Sequence, residues 1–427
     1  MKDDSVISKS HSYSQDFPLE EVPKEYRKNF WSLTSVLLGF TFFTATMWAG
    51  GTLGTAFTFG ELIAIITLGN LLLGAYVASL GFISFKSGLN TVLMGRFCFG
   101  DYGSKLTDLI LGITQIGWYA WGTATIAIIL TEFLSLDPIY TKLLMIIFGF
   151  AFCWTAVIGY KGLEKLSFIA VPMMIILIFI SIIISVNDIG GFTKLLNVIP
   201  STELTFSAAL TLVFGTFASG GTQSTNWIRF ASSAKTAVGS SLIAFFIGNG
   251  FMIFIGTIGA LVYQEPDIVQ VLKIQGILGL GILMLFLNIW TTQDNTVYNF
   301  SAAGCNFLRT EKRKLITFSG AAIGTLLALF GMYEWLVPFI ILLGTFIPPI
   351  GGIILADFFV KHKMDYPKLG TTKLPLINWN GIISYIIASS TAYFSPFVPP
   401  ITGVLLGFLS YSVFELLTKR LKSKFLI

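Results

Sequence analysis

Gly39-Phe40-Thr41-Phe42-Phe43-Thr44-Ala45-Thr46 and Gly215-Thr216-Phe217-Ala218-Ser219-Gly220-Gly221-Thr222 decide the architecture. Each lies inside an apolar run long enough to cross a bilayer. Each mixes glycine, hydroxyls and phenylalanine where a continuous helix is expected. In hydrocarbon every backbone N–H and C=O needs a partner, so a break at that depth is tolerated only against protein or a polar cavity. The second break follows the first by 176 positions. Paired interruptions at corresponding places of two halves point to a solute site between them.

The surrounding chain is that of a polytopic membrane protein. Of its 427 residues 54% are hydrophobic and only 11% charged, less than half the charged share of a soluble domain. Runs of about 20 apolar residues mark membrane helices. They fall near 31–57, 61–85, 104–133, 138–160, 163–186, 205–229, 236–263, 275–307, 313–332, 335–359, 377–394 and 398–418. With twelve spans, all the Lys and Arg except Lys142, Lys194 and Lys273 collect on one side. The positive-inside rule makes that side, and both termini, cytoplasmic. Residues 1–29 are polar, with no apolar core for a signal peptide, and are expected to be a disordered tail. Residues 419–427 form a second tail.

Spans 1–5 (about 30–186) and 6–10 (about 205–359) can be superposed with a broken helix first in each. An odd number of spans per repeat inverts the second relative to the first. The expected fold is therefore all-α: a five-plus-five inverted repeat over 30–359 with helices 1 and 6 broken, and two extra helices over 377–418.

Composition also excludes. The net charge of +5 is scattered among short loops, so no nucleic-acid partner is implied. Three cysteines, Cys98 in a loop, Cys153 in a span and Cys305 near a helix end, make neither a disulfide framework nor a metal site. His11 and His362 fall in polar segments. No His, Cys or paired-carboxylate constellation lies inside the spans to support an enzyme. No repeated filter-like loop or charged ring supports a channel. The partners expected are lipid and a small solute, with no obligate protein partner evident.

Three polar features sit at membrane depth. Gln115 and Trp118 are three apart and share a helix face, an amide beside an indole suited to a flat heteroaromatic ring; the alternative is a polar bridge between helices. Phe217 lies within the second break. Asn288-Ile289-Trp290-Thr291-Thr292-Gln293-Asp294-Asn295 is the densest polar run in any span. Asn288, Thr291, Thr292 and Asn295 fall on one stripe. Four oxygen-bearing side chains suit a hard cation, or the threonines bond their own helix. Asp294, the carboxylate in this run, is a proton-carrying or anchoring candidate. Asp108, Glu61 and Asp357 are expected at the interface. Pro348-Pro349 should disrupt span 10.

Gly39-Phe40-Thr41-Phe42-Phe43 with Met47-Trp48-Ala49-Gly50-Gly51-Thr52-Leu53-Gly54-Thr55 resembles the first helix of bacterial cytosine permeases, in the nucleobase–cation symporter family. Gly69-Asn70-Leu71-Leu72-Leu73-Gly74, Thr114-Gln115-Ile116-Gly117-Trp118, Leu287-Asn288-Ile289-Trp290-Thr291-Thr292, Ile347-Pro348-Pro349-Ile350-Gly351-Gly352 and Ala356-Asp357 extend the resemblance from about residue 30 to the last span. It implies a secondary transporter of the bacterial inner membrane that imports cytosine with sodium. The implied sodium ligands are backbone oxygens of Gly39, Phe42 and Asn288 and the hydroxyls of Thr291 and Thr292. The base would stack between Trp118 and Phe217, with Gln115 and Asn288 at its polar edge and Phe43, Thr216 and Ser219 completing the pocket. Gln293, Thr216 and Asn226 depart from the family pattern, which has asparagine, serine and an acidic residue. Hydantoin, allantoin, thiamine or another nucleobase, and proton coupling, remain the alternatives.

Overall fold

Each of the twelve expected runs is helical in the computed structural model, which describes residues 16–425. The first is two helices, α1 (Phe30–Thr41) and α2 (Thr44–Gly54), bent by 57°. Asn29 starts α1 by accepting from Ser32 N at 2.9 Å, a side-chain cap for an otherwise orphan donor. The ladder stops where Phe42 N donates to Leu38 O, and Phe43 is extended. α3 (Phe59–Ser87) opens with a capping box of Thr58 and Glu61. α4 (Thr91–Phe99) is a short buried helix, capped by Asn90, between α3 and α5 (Ser104–Phe133).

The fourth run divides into α6 (Ile139–Ala151) and α7 (Cys153–Ile158). α8 (Tyr160–Asp188) and a short α9 (Phe192–Leu195) close the first half. The sixth run divides into α10 (Phe206–Gly215), α11 (Ala218–Gln223) and α12 (Thr225–Ile228). α13 (Ala234–Leu242) joins α14 (Asn249–Tyr263) through a π-helical turn, Ile243–Gly248. α15 (Ile268–Ile274) precedes α16 (Leu278–Leu308), α17 (Arg313–Leu329), α18 (Leu336–Phe346) and α19 (Pro348–Ala356). The tenth run breaks at Ile347, where Pro348 and Pro349 occupy the first turn of α19, the place in a helix where a missing N–H costs least. α20 (Trp379–Phe394) and α21 (Pro399–Phe425) complete the chain. Among the described residues seven helical segments are long and apolar enough to cross a membrane, or eight with the bent pair α1–α2. Among the described residues the one β-bridge joins Lys28 and Ala231.

Packing sorts the spans into groups. α2 lies along α14, and α3 along α13 and α10. α5 lies along α16 and α17, and α6 joins both α5 and α17. The first group holds spans 1, 2, 6 and 7, and the second holds 3, 4, 8 and 9. Each span and its counterpart in the other half thus share a group, as a five-plus-five repeat requires. α8 bridges them, touching α1, α14 and α16, while α19, α20 and α21 pack together. The α2–α14 contact is backbone on backbone. A side chain at Gly50 would strike Ile253 O, and one at Gly256 would strike Met47 O. Small residues provide such closeness where lipid offers no hydrophobic drive between helices.

Several sequence readings need correction. Cys98 lies in α4, buried, not in a loop. All three cysteines are free. Asp108 and Asp357, expected at the interface, are buried within the protein, Asp108 accepting from Asn306 Nδ2 at 2.7 Å and Asp357 pairing with Lys361 at 3.0 Å. Asp108 lies near the start of α5 and faces α16, and Asp357 opens the π-helical turn that follows α19. Residues 16–29 do not behave as a loose tail. Asp16 pairs with Arg313 at 2.9 Å, and Arg229 donates to the carbonyls of Asp16 and Phe17. Residues 1–15, including His11, lie outside the described residues.

Candidate substrate and cation site

Unwinding at Phe42–Phe43 turns carbonyls out of the helix ladder, and α16 meets them with hydroxyls. Thr292 Oγ1 lies 3.4 Å from Phe40 O, 3.3 Å from Phe42 O and 3.0 Å from Asn288 O. A hydroxyl has one hydrogen and can satisfy only one of these acceptors. The remaining oxygens gather around one point, the surroundings a hard cation takes. Thr291 Oγ1 sits 3.0 Å from Asn288 O and 3.1 Å from Leu287 O. Gly39 is beside it: a Cβ there would lie 3.5 Å from Thr291 Cβ. The same Cβ would strike the hydroxyl of Ser167, which is buried on α8 and makes no hydrogen bond to another described residue. Sequence reading passed over Ser167, since a lone serine in a strongly apolar span carries no signal. Gly39, Phe42, Asn288, Thr291 and Thr292 thus come together, and Asn295 does not join them. Its amide turns back to Thr291 O and to Asp294. No cluster of His, Cys, Asp and Glu among the described residues could hold a metal ion, so any cation here meets neutral oxygens.

Beside these oxygens is a narrow cavity of about 10 Å³, room for about one water. It is lined by Phe40, Phe43, Gln115, Trp118, Thr216, Phe217, Gly220, Thr292 and Thr296. Thr292 therefore borders both features. The Phe43 ring stands edge-on to Trp118 at 5.3 Å and to Phe217 at 6.2 Å between centroids. Trp118 also meets Phe339 at 5.4 Å. A pyrimidine needs these rings to part before it can lie between Trp118 and Phe217.

Two expected pocket residues stand elsewhere. Ser219 is not on the cavity wall but behind Gln115, accepting from its Nε2 at 3.0 Å and bonding Thr114 Oγ1 at 2.8 Å. The Asn288 side chain is engaged by Thr44, whose hydroxyl donates to Oδ1 at 2.7 Å. Thr216 is on the wall, held by Val213 O and Asn249 Nδ2. Sequence reading did not single out Phe40, Gly220 and Thr296. Thr296 lies one turn beyond Thr292 on the same face, a legible signal. Gly220 is not legible from its neighbours: a Cβ would come within 2.7 Å of the Phe40 ring and 2.9 Å of Phe217.

A family model described as permease for cytosine/purines, uracil, thiamine and allantoin matches residues 21–388. The chain belongs to this permease family. It is 38% identical to the cytosine permease of Escherichia coli strain K12 over 409 residues, 96% of each chain. It is 20% identical to the hydantoin permease of Microbacterium maritypicum, covering 88% of this chain and 84% of that one. Among solved structures, the nucleobase-cation-symport-1 transporter Mhp1, closed with bromovinylhydantoin bound, superposes with a TM-score of 0.83 at 16% identity over 95% of both chains. A Na+-coupled sialic acid symporter superposes with a TM-score of 0.72 at 16% identity, over 95% of this chain and 93% of that one. The chain is thus a multi-pass membrane permease with the Mhp1 fold, and not an enzyme.

Proposed function

We propose that this permease imports cytosine by alternating access, driven by sodium, across a bacterial inner membrane with both termini cytoplasmic. The observation that carries the reading is Thr292, whose hydroxyl faces the oxygens of the first break and also lines the aromatic cavity. The cation would be held by Gly39, Phe42 and Asn288 through backbone oxygens and by Thr291 and Thr292 through hydroxyls. It would bind between α1–α2 of one helical group and α16 of the other, and so draw the groups together around the ring. Trp118 and Phe217 would stack the base, Gln115 would read its edge, and Phe43 and Thr216 would close the wall. Asn288 serves the cation side, and Ser219 acts through Gln115. A neutral pocket of amide, hydroxyl and aromatic groups suits an uncharged planar solute. The relative named cytosine permease supports cytosine over hydantoin, allantoin or thiamine.

Uptake of labelled cytosine into vesicles, with and without a sodium gradient and challenged by uracil, adenine, hydantoin and thiamine, tests both parts. Sodium and cytosine should tighten each other's binding by one common factor, since coupling is reciprocal. A different preferred competitor would reassign the substrate, and indifference to sodium would reassign the ion. Proton coupling is the second reading, favoured by Asp294, which is buried against Thr155 Oγ1 at 2.8 Å with no ion pair among the described residues. In that case Asp294→Asn abolishes pH-driven uptake.

A further inference from the structure

Four buried amides run in single file from the cavity to a helix start on the face where the N-terminal segment docks. Asn299 on α16 donates Nδ2 to Gln115 Oε1 at 3.3 Å. Asn226 on α12 donates Nδ2 to Asn299 Oδ1 at 2.7 Å. Asn90 donates Nδ2 to Asn226 Oδ1 at 2.8 Å. All four are at most 1% exposed. Asn90 is the N-cap of α4, and its Oδ1 accepts from Leu93 N at 3.0 Å.

An amide's oxygen and nitrogen look alike to X-rays and must be assigned from their partners. Here one partner leaves no choice. Leu93 N is a backbone donor and cannot reverse, so Asn90 must turn its oxygen to it and its nitrogen to Asn226. Asn226 must then offer oxygen to Asn90 and nitrogen to Asn299. Asn299 in turn must offer oxygen to Asn226 and nitrogen to Gln115. Gln115 therefore keeps its oxygen on the Asn299 side and its nitrogen on the Ser219 side. Ser219 agrees: Thr114 Oγ1 donates to Leu111 O at 2.8 Å, leaving it to accept the Ser219 hydrogen, and Ser219 to accept from Gln115.

We infer that the α4 cap sets the donor–acceptor sense of Gln115 through Asn226 and Asn299, and so makes Asn90, Asn226 and Asn299 positioning residues for base selectivity. This rests on the nucleobase reading above. Free to rotate, the Gln115 amide could pair with cytosine, which has an acceptor at N3 beside an amino donor, or with uracil, which has the reverse pair. Fixed in one sense, with the ring position set by the aromatic wall, it fits one pair and leaves the other with unmatched buried groups, a strong basis for rejection. The parent should then prefer cytosine to uracil by roughly a hundredfold.

The test is the ratio of competition constants for cytosine and uracil on the full-length protein, a quantity independent of the folded fraction. Asn90→Asp keeps the cap, since aspartate caps helices as well as asparagine, and stays ionised at a helix N-terminus. It has no hydrogen to pass on, so Asn226, Asn299 and Gln115 must all reverse. Asn299→Leu removes the last link and leaves the Gln115 amide free to turn. Asn90→Ser keeps both a cap and a donor. We expect the ratio to fall at least about tenfold in Asn90→Asp and Asn299→Leu and to hold within about twofold in Asn90→Ser. An unchanged ratio in Asn90→Asp or in Asn299→Leu overturns the inference. So does an equal fall in Asn90→Ser, which would trace the loss to the size of the side chain at 90 and not to the sense of its hydrogen bond. If the parent binds neither base, the nucleobase reading fails. The chain of amides is then tested on whichever heterocycle the parent does bind, against its analogue with donor and acceptor exchanged.

Discussion

The two broken helices use one device for opposite chemistry. At Phe42–Phe43 the break frees carbonyls, and the hydroxyl of Thr292 comes to meet them. At Thr216–Phe217 the hydroxyls turn inward, Thr216 to Val213 O and Ser219 to Thr114 and Gln115, so the break presents chiefly a ring. Unwinding by itself therefore does not specify a ligand. What faces the freed backbone does: a polar stripe on α16 at the first break, and Phe40, Phe43 and Trp118 around the second.

Thr292→Ala strikes the first break and should have the largest effect. It removes a side-chain oxygen from a charged ligand, worth about 1.5–3 kcal/mol, so half-maximal sodium should rise by up to roughly a hundredfold. High sodium should restore uptake. An unchanged sodium requirement would mean that the oxygens at the first break are structural. Trp118→Ala strikes the aromatic side. Stacking is worth about 1–3 kcal/mol per base, so cytosine binding should weaken by roughly thirtyfold. Sodium should improve this variant only by the parent's own coupling factor. Were sodium to restore it fully, the two breaks would not be chemically separate. Gly220→Ala pushes a methyl between Phe40 and Phe217, an overpacking of about 1–3 kcal/mol, part of which the rings absorb by turning. Cytosine affinity should fall by about tenfold or less, with sodium affinity in the absence of cytosine unmoved. Trp31→Ala, at a ring 72% exposed, should change either constant by no more than about 0.5 kcal/mol.

Both breaks were legible to within two residues, because glycine and hydroxyls at membrane depth conflict locally with a continuous helix. Helical spacing puts Asn288, Thr291, Thr292 and Asn295 on one stripe, but it could not tell that Asn295 turns back to Thr291 O and Asp294. What escaped depends on partners remote in the chain. Ser219 could not be placed behind Gln115 without knowing how α11 meets α5. The Asn226–Asn299 bond spans 73 positions, and each asparagine by itself reads as ordinary helix-to-helix glue. Asp108 was sent to the interface because its neighbour in sequence is a polar loop, yet Asn306 on α16 draws it inward. α4 was missed because nine residues between two long apolar runs read as loop.

The glycine contacts between α2 and α14 carry a mechanical consequence. With Met47 O against Gly256 and Ile253 O against Gly50, the two backbones have no side-chain cushion along which to slide. The second half of the first span, α2, and the seventh span must travel as a single lever in any rocking motion. A covalent bridge between α2 and α14 should accordingly be silent in transport. The same bridge between α2 and α16, which belong to different groups, should lock the permease in whichever state it was made.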